Sequence, residues 1–105
     1  MMSHKIREII VYKVQADKLA DFEAIKAQII TESMTLPGLH SSTTAQLLGS
    51  DNLFADTMIW ESKAASERAM PIFESLPTAG RFLSLFDGPP VQHLFMEYIA
   101  DSVLD

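Results

Sequence analysis

The chain has 105 residues, enough for one domain around one core, and 48% of them are hydrophobic, which places it outside the disordered class. Its formal charge of −6, with no basic run anywhere, argues against nucleic acid as a partner, because a phosphate backbone would be repelled over much of the surface. The absence of cysteine excludes disulfides, thiolate metal sites and cysteine nucleophiles.

No segment reads as membrane-spanning. The longest uninterrupted run of aliphatic or aromatic residues is 9–12, far short of the roughly 20 that a spanning helix needs. His4, Lys5, Arg7 and Glu8 occupy the place where a secretory signal would be apolar, so a cytoplasmic location is expected. With no solenoid-like repeat or low-complexity stretch, residues 1–105 read as a single domain.

Residues 7–15 (REIIVYKVQ) form the first predicted strand. Ile10, Tyr12 and Val14 share one face, and Ile9 and Val11 share the other, so both faces are apolar. Asp17 is placed to cap a helix over about residues 18–34. Its apolar stripe is Leu19, Phe22, Ile25 and Ile29, widened by Ile30 and Met34, with Asp21, Glu23, Lys26 and Glu32 at other positions. Pro37 and Gly38 end it.

Residues 39–48 and Leu53–Trp60 pair as a hairpin across Gly49, Ser50, Asp51 and Asn52. Alternation puts Phe54, Asp56, Met58 and Trp60 on one face of the second of these strands, with Leu53, Ala55, Thr57 and Ile59 on the other. If Leu48 faces Leu53, Ser41 lies opposite Trp60, Thr43 opposite Met58 and Ala45 opposite Asp56, which sets hydroxyls beside the tryptophan. A slip of one residue reverses that assignment.

Ser62 can cap a second helix from about Lys63, on which Lys63 and Glu67 are spaced to pair. Pro71 predicts a kink or break. Ser75 and Pro77 suggest a restart, with Phe82, Leu85 and Phe86 as its apolar edge, stopped by Asp87, Gly88, Pro89 and Pro90. Residues 91–99 (VQHLFMEYI) form the last strand. Residues 100–105 are expected to fray or to pack on a partner.

The order strand, helix, strand, strand, helix, strand predicts an α+β, ferredoxin-like βαββαβ fold: a four-stranded antiparallel sheet with both helices on one face. The other face carries Ile9, Val11, Leu53, Ala55 and Ile59, an apolar patch that invites association. A homodimer, two sheets face to face about a two-fold axis in a closed dimeric α+β barrel, is the expected cover.

Three residues are candidates for proton chemistry. Asp56 shares the tryptophan face, and a buried carboxylate there would suit a general base. Its position near the hairpin end favours solvation instead, because unpaired buried carboxylates are rare. Tyr12 could orient a ligand if its face is the helix side, although an ordinary strand tyrosine is the commoner case. His93 could act as a base near neutral pH. A structural or edge histidine is commoner, and its face is open. The three histidines show no metal-ligand spacing, and no glycine loop suits a phosphate, so no metal or cofactor is expected. Met58, Met70 and Met96 read as adaptable core filling before ligands.

The element order, Val-Gln-Ala-Asp-Lys-Leu-Ala-Asp-Phe at residues 14–22, Pro37-Gly38-Leu39, and Ile59-Trp60-Glu61-Ser62 resemble the antibiotic biosynthesis monooxygenase (ABM) family of dimeric α+β barrels over about residues 8–99. The resemblance implies a cleft between sheet and helices lined by Trp60; alternation and the expected register set Phe54, Met58, Ser41 and Thr43 beside it as candidate substrate-binding residues. It further implies a small aromatic or polyketide-like substrate oxidised without metal or flavin; on that reading Asp56, His93 or Tyr12 would be the proton acceptor. In a haem-degrading branch of the superfamily, the tryptophan is joined by an asparagine on strand one and a histidine on helix two. Those positions resemble Ile10 and Met70 here, which can do neither job, so haem degradation is not expected. A lone strand-end tryptophan is equally consistent with plain core. Besides the cofactor-independent monooxygenase, two readings stay open: a non-catalytic dimer that binds a small molecule in the same cleft, and a structural dimer whose cleft is filled.

Overall fold

A computed structural model describes residues 5–100. The strands are β1 (Ile6–Lys13), β2 (Leu39–Gln46), β3 (Leu53–Trp60) and β4 (Gln92–Glu97); the helices are α1 (Leu19–Ser33), α2 (Lys63–Glu74) and α3 (Ala79–Ser84). They form one antiparallel sheet in the order β2-β3-β1-β4. This is the expected ferredoxin-like arrangement, with the second helical segment in two pieces.

The helices cover the face that carries Glu8, Ile10, Tyr12, Asp56, Met58 and Trp60, and the core beneath them has two parts. One gathers Tyr12, Val14, Phe22, Ile25, Ile29, Ala79, Phe82 and Leu85. The other gathers Ile6, Leu36, Trp60, Ala65 and Ala69. Phe73 and Leu76 touch both parts. Gly38 lets the chain pass close under α2: its φ is +84°, and a Cβ there would sit 2.7 Å from that of Ala65. Glycine meets both demands.

Several local expectations are corrected. A 3-10 turn over Ala16–Lys18 precedes α1, and Asp17 lies inside it without capping. Lys26 belongs to the buried stripe of α1, being only 9% exposed. Helix α2 runs through Pro71 without a break. Proline removes only its own N–H, and Glu67, the residue four before it, is exposed, so the freed carbonyl can bond water. Ser75 closes α2 rather than opening α3, which starts after Thr78. There the Glu32 carboxylate of α1 accepts from the Thr78 backbone N–H at 2.9 Å and also from the Thr78 hydroxyl. Ser62 caps α2 as expected, its Oγ accepting from the Ala65 N–H at 3.1 Å, and Lys63 pairs with Glu67 at 2.9 Å. The expectation for the tail lies, beyond Ala100, outside the described residues, as does His4.

The hairpin register is one residue from the expected one. Ser42 faces Met58, Thr44 faces Asp56, and Thr43 faces Thr57. The Leu47 N–H, not that of Leu48, bonds the Leu53 carbonyl at 2.9 Å, which leaves Leu48 in the turn and 97% exposed. At the other end the register shifts between Leu39 and Ser41, with Leu39 opposite Trp60. An extra residue in one strand re-aims everything beyond it.

Candidate functional site

Between the two parts of the core lies a cavity of about 600 Å³, walled by α1, α2 and α3 and floored by the sheet. Most of the lining is apolar, including Ile10, Ile29, Met58, Phe73 and Phe82. That combination of an apolar wall and a few convergent polar groups is the usual form of a small-molecule site. Two polar constellations reach it, both anchored on the sheet.

Glu8, on β1, is 5% exposed. Parity puts it on the face of Ile10 and Tyr12, and its carboxylate joins two strands. Oε1 accepts the Trp60 indole N–H from β3 at 2.9 Å, and Oε2 lies 2.5 Å from His93 Nε2 of β4. In the tautomer that donates Nε2–H to the carboxylate, Nδ1 is the ring's acceptor. Nδ1 makes no hydrogen bond among the described residues. The His93 side chain is 34% exposed and lines the cavity.

The second constellation centres on Asp56. It is 8% exposed, contrary to the expectation of solvation, and it is not unpaired. Oδ1 accepts from the Tyr12 hydroxyl at 2.9 Å and from Thr44 Oγ1 at 2.7 Å, and Oδ2 lies 2.6 Å from Lys26 Nζ. Burial lowers the pKa of Lys26, and the Asp56 charge only partly opposes that shift. Burial also raises the pKa of Tyr12 far above the usual phenol value, reinforced by the negative charge of Asp56 and by the hydrogen bond donated to it. Tyr12 therefore keeps its proton and acts as a donor, not as the proton acceptor considered from sequence. Asp56 is committed to three donors, which leaves it little capacity as a base.

No protein-family model matches the chain, and no curated protein matches it. Solved structures do. SnoaB, a cofactor-independent oxygenase from Streptomyces nogalater, is 20% identical, with 96% of this chain and 97% of that one aligned at a TM-score of 0.68. Two proteins that provisionally carry the antibiotic biosynthesis monooxygenase name also match. The one from Bordetella bronchiseptica is 24% identical over 92% of this chain and 99% of that one, at a TM-score of 0.72. The one from Nitrosomonas europaea is 12% identical over 94% of each chain, at 0.74. The fold is that of the ABM proteins.

On this ABM-like frame, Trp60 both packs in the core and walls the cavity. Met58, Tyr12, Asp56 and His93 line the cavity too. Phe54 does not: it stacks into the aromatic core, its ring centroid 4.5 Å from that of Phe22. Ser41 and Thr43 fall on the opposite face because of the register shift: Ser42 takes the place expected of Thr43 opposite Met58, Thr44 that of Ala45 opposite Asp56, and Leu39, not a hydroxyl, lies opposite Trp60. Ile10 and Met70 line the cavity but carry no group able to do what the haem-degrading pattern requires. Among the described residues no three His, Asp or Glu side chains cluster as a metal site. Glu8 and Lys26 were not singled out from sequence. Strand parity with Tyr12 points to the first, and the spacing of four residues from Phe22 and three from Ile29 points to the second.

Proposed function

We propose that this chain is a cofactor-independent monooxygenase-like enzyme that oxidises a small aromatic or polyketide-like phenol in the cavity, with His93 as the proton acceptor. The observation that carries the reading is the Trp60–Glu8–His93 chain, a buried carboxylate that holds the Nε2 of an imidazole lining an apolar chamber, with no hydrogen bond to Nδ1 among the described residues. The substrate hydroxyl would donate to Nδ1, and Glu8 would stabilise the imidazolium that forms. The resulting phenolate passes an electron to dioxygen while the apolar walls limit access of water. In the balanced reaction one oxygen atom enters the ring as a carbonyl, and the other leaves as water with two substrate hydrogens. The likeness to SnoaB supports a chemistry of this class.

The test is oxygen uptake with electron-rich phenols of one to four rings, comparing wild type with His93→Ala and Glu8→Gln. Turnover by wild type, reduced about 10²- to 10⁴-fold in His93→Ala, is expected. Turnover that survives His93→Ala unchanged would sink the assignment, and ligand binding with no turnover would favour a binding protein.

We also propose that two copies pair through the sheet face that no described helix covers. Leu94 and Met96 of β4 are 44% and 42% exposed there, beside half-buried Ile9, Val11, Leu53 and Ile59. No helix among the described residues is long and apolar enough to cross a membrane.

A further inference from the structure

Lys26 holds ligand-binding capacity that the proton chemistry at His93 leaves unused. Its ammonium group has three donors. One goes to Asp56 Oδ2, and no second hydrogen bond is made among the described residues. Ring faces occupy much of its surroundings, with Nζ 4.7 Å from the Phe82 centroid and 5.8 Å from that of Tyr12. The side chain is 11% exposed and lines the cavity. Since Asp56 already takes three donors, the spare polar capacity at this end is donor capacity. A ligand meets it with an acceptor oxygen.

Charge selects which acceptor. Four carboxylates line the cavity, Glu8, Asp56, Glu67 and Glu74, against two lysines, Lys26 and Lys63. Each lysine already bridges one of them, Lys26 to Asp56 and Lys63 to Glu67. Lys63, Glu67 and Glu74 are exposed, so the buried charges are the Lys26–Asp56 pair and Glu8, whose partners are the Trp60 indole and the His93 imidazole. An anionic ligand would meet the carboxylate of Glu8 with no buried lysine left to balance it. A neutral carbonyl accepts the Lys26 N–H without that penalty.

Sheet register places the two polar ends. Ile10 pairs with Asp56 on one side and with His93 on the other, so the two lie in one row across three strands. Two strand spacings separate their backbones by roughly 10 Å. Ile10 is the apolar floor between them.

Resting on the reading of this cavity as the substrate site, we infer that Lys26 is a specificity-determining residue. It hydrogen-bonds a neutral ketone or quinone carbonyl of a fused-ring aromatic ligand whose hydroxyl reaches His93 across Ile10.

Three ligands of one shape test this under anaerobic conditions: a hydroxynaphthyl methyl ketone, its analogue with ethyl in place of acetyl, and its analogue with a carboxylate. Binding is read from the fluorescence of Trp60, the chain's one tryptophan. The ketone is expected to bind at least roughly tenfold more tightly than either analogue, and its carbonyl stretch to move to lower frequency on binding. Lys26→Met combined with Asp56→Asn removes both charges together, leaving no unpaired buried ion. That pair is expected to abolish the preference of ketone over ethyl, whereas Lys63→Gln keeps it. Equal wild-type affinity for ketone and ethyl, or an unshifted carbonyl stretch, overturns the inference without any variant. So does a folded double variant that keeps the preference. Ketone binding without oxygen uptake would overturn the oxygenase reading and leave this one standing, and oxygen uptake with equal ketone and ethyl affinities would do the reverse.

Discussion

Tyr12 donates to a carboxylate that also holds Lys26, and the two partners respond to pH in opposite senses. The folded Tyr12 keeps its proton well above 10.0, the usual value at which an unfolded chain releases it. Above pH 10 the unfolded state therefore binds fewer protons, and the stability Tyr12 contributes, fully present below pH 10, is lost as pH rises. For Lys26, lowered from 10.5, the unfolded state binds more protons between the folded value and 10.5, so in that window stability climbs with pH. Urea melts on both sides of pH 10 should show the fall above it, and tyrosinate absorbance from Tyr12 should appear only as the chain unfolds. Tyr12→Phe should remove that component at a cost of about 1–2 kcal/mol near neutral pH, since Asp56 keeps two of its donors. Lys26→Met alone should cost more, about 3–5 kcal/mol in the same melts, because it strands a buried carboxylate. A loss under 1 kcal/mol would mean that the pair is solvated, contrary to its burial.

At the scale of the element, Pro71 and the β2–β3 hairpin show what pattern alone could reach. Alternation put Phe54, Asp56, Met58 and Trp60 on one face of β3, and that is their face, because a period of two leaves no other choice once the strand is right. The register of β2 was not legible. Nothing in Leu47-Leu48-Gly49 says which leucine closes the hairpin, and nothing local marks the shift near His40, beyond which Leu39 pairs with Trp60 and packs on its core cluster. Lys26 was hidden for a related reason: its partner Asp56 is 30 residues away, so the charge looked like a solvated one. Proline propensity suggested a break at Pro71, but tertiary contacts on both sides, Ala65 and Ala69 before it and Phe73 after it, carry α2 through. Pro71→Ala should restore the missing N–H and stabilise the protein by about 1–3 kcal/mol. A rise in melting temperature, with Trp60 fluorescence unchanged, would show that the proline does not shape the cavity. A fall would mean that it does.

At the scale of the whole molecule, one apolar sheet face has no cover among the described residues. Four strands at roughly 4.8 Å and eight residues at roughly 3.3 Å span a face of roughly 500 Å² in plan, before side-chain relief and loops are added. That approaches the scale of a standard interface, about 800 Å² per partner. Burying apolar surface is worth roughly 25 cal/mol per Å², so pairing of two such faces should outweigh the cost of association. The pairing also bears on the site. Glu8, Ile10 and Tyr12 alternate along β1 with Ile9 and Val11, so the strand that floors the cavity on one face would be clamped by the partner on the other. Val11→Glu places a charge at the middle of that face while leaving the cavity side chains in place. Native mass spectrometry should find wild type as a dimer at micromolar concentration and Val11→Glu as a monomer, with ligand affinity weakened through a looser floor. A monomeric wild type would remove the dimer altogether. A monomeric variant that binds ligand as tightly as wild type would show instead that each subunit holds a complete, self-supporting site.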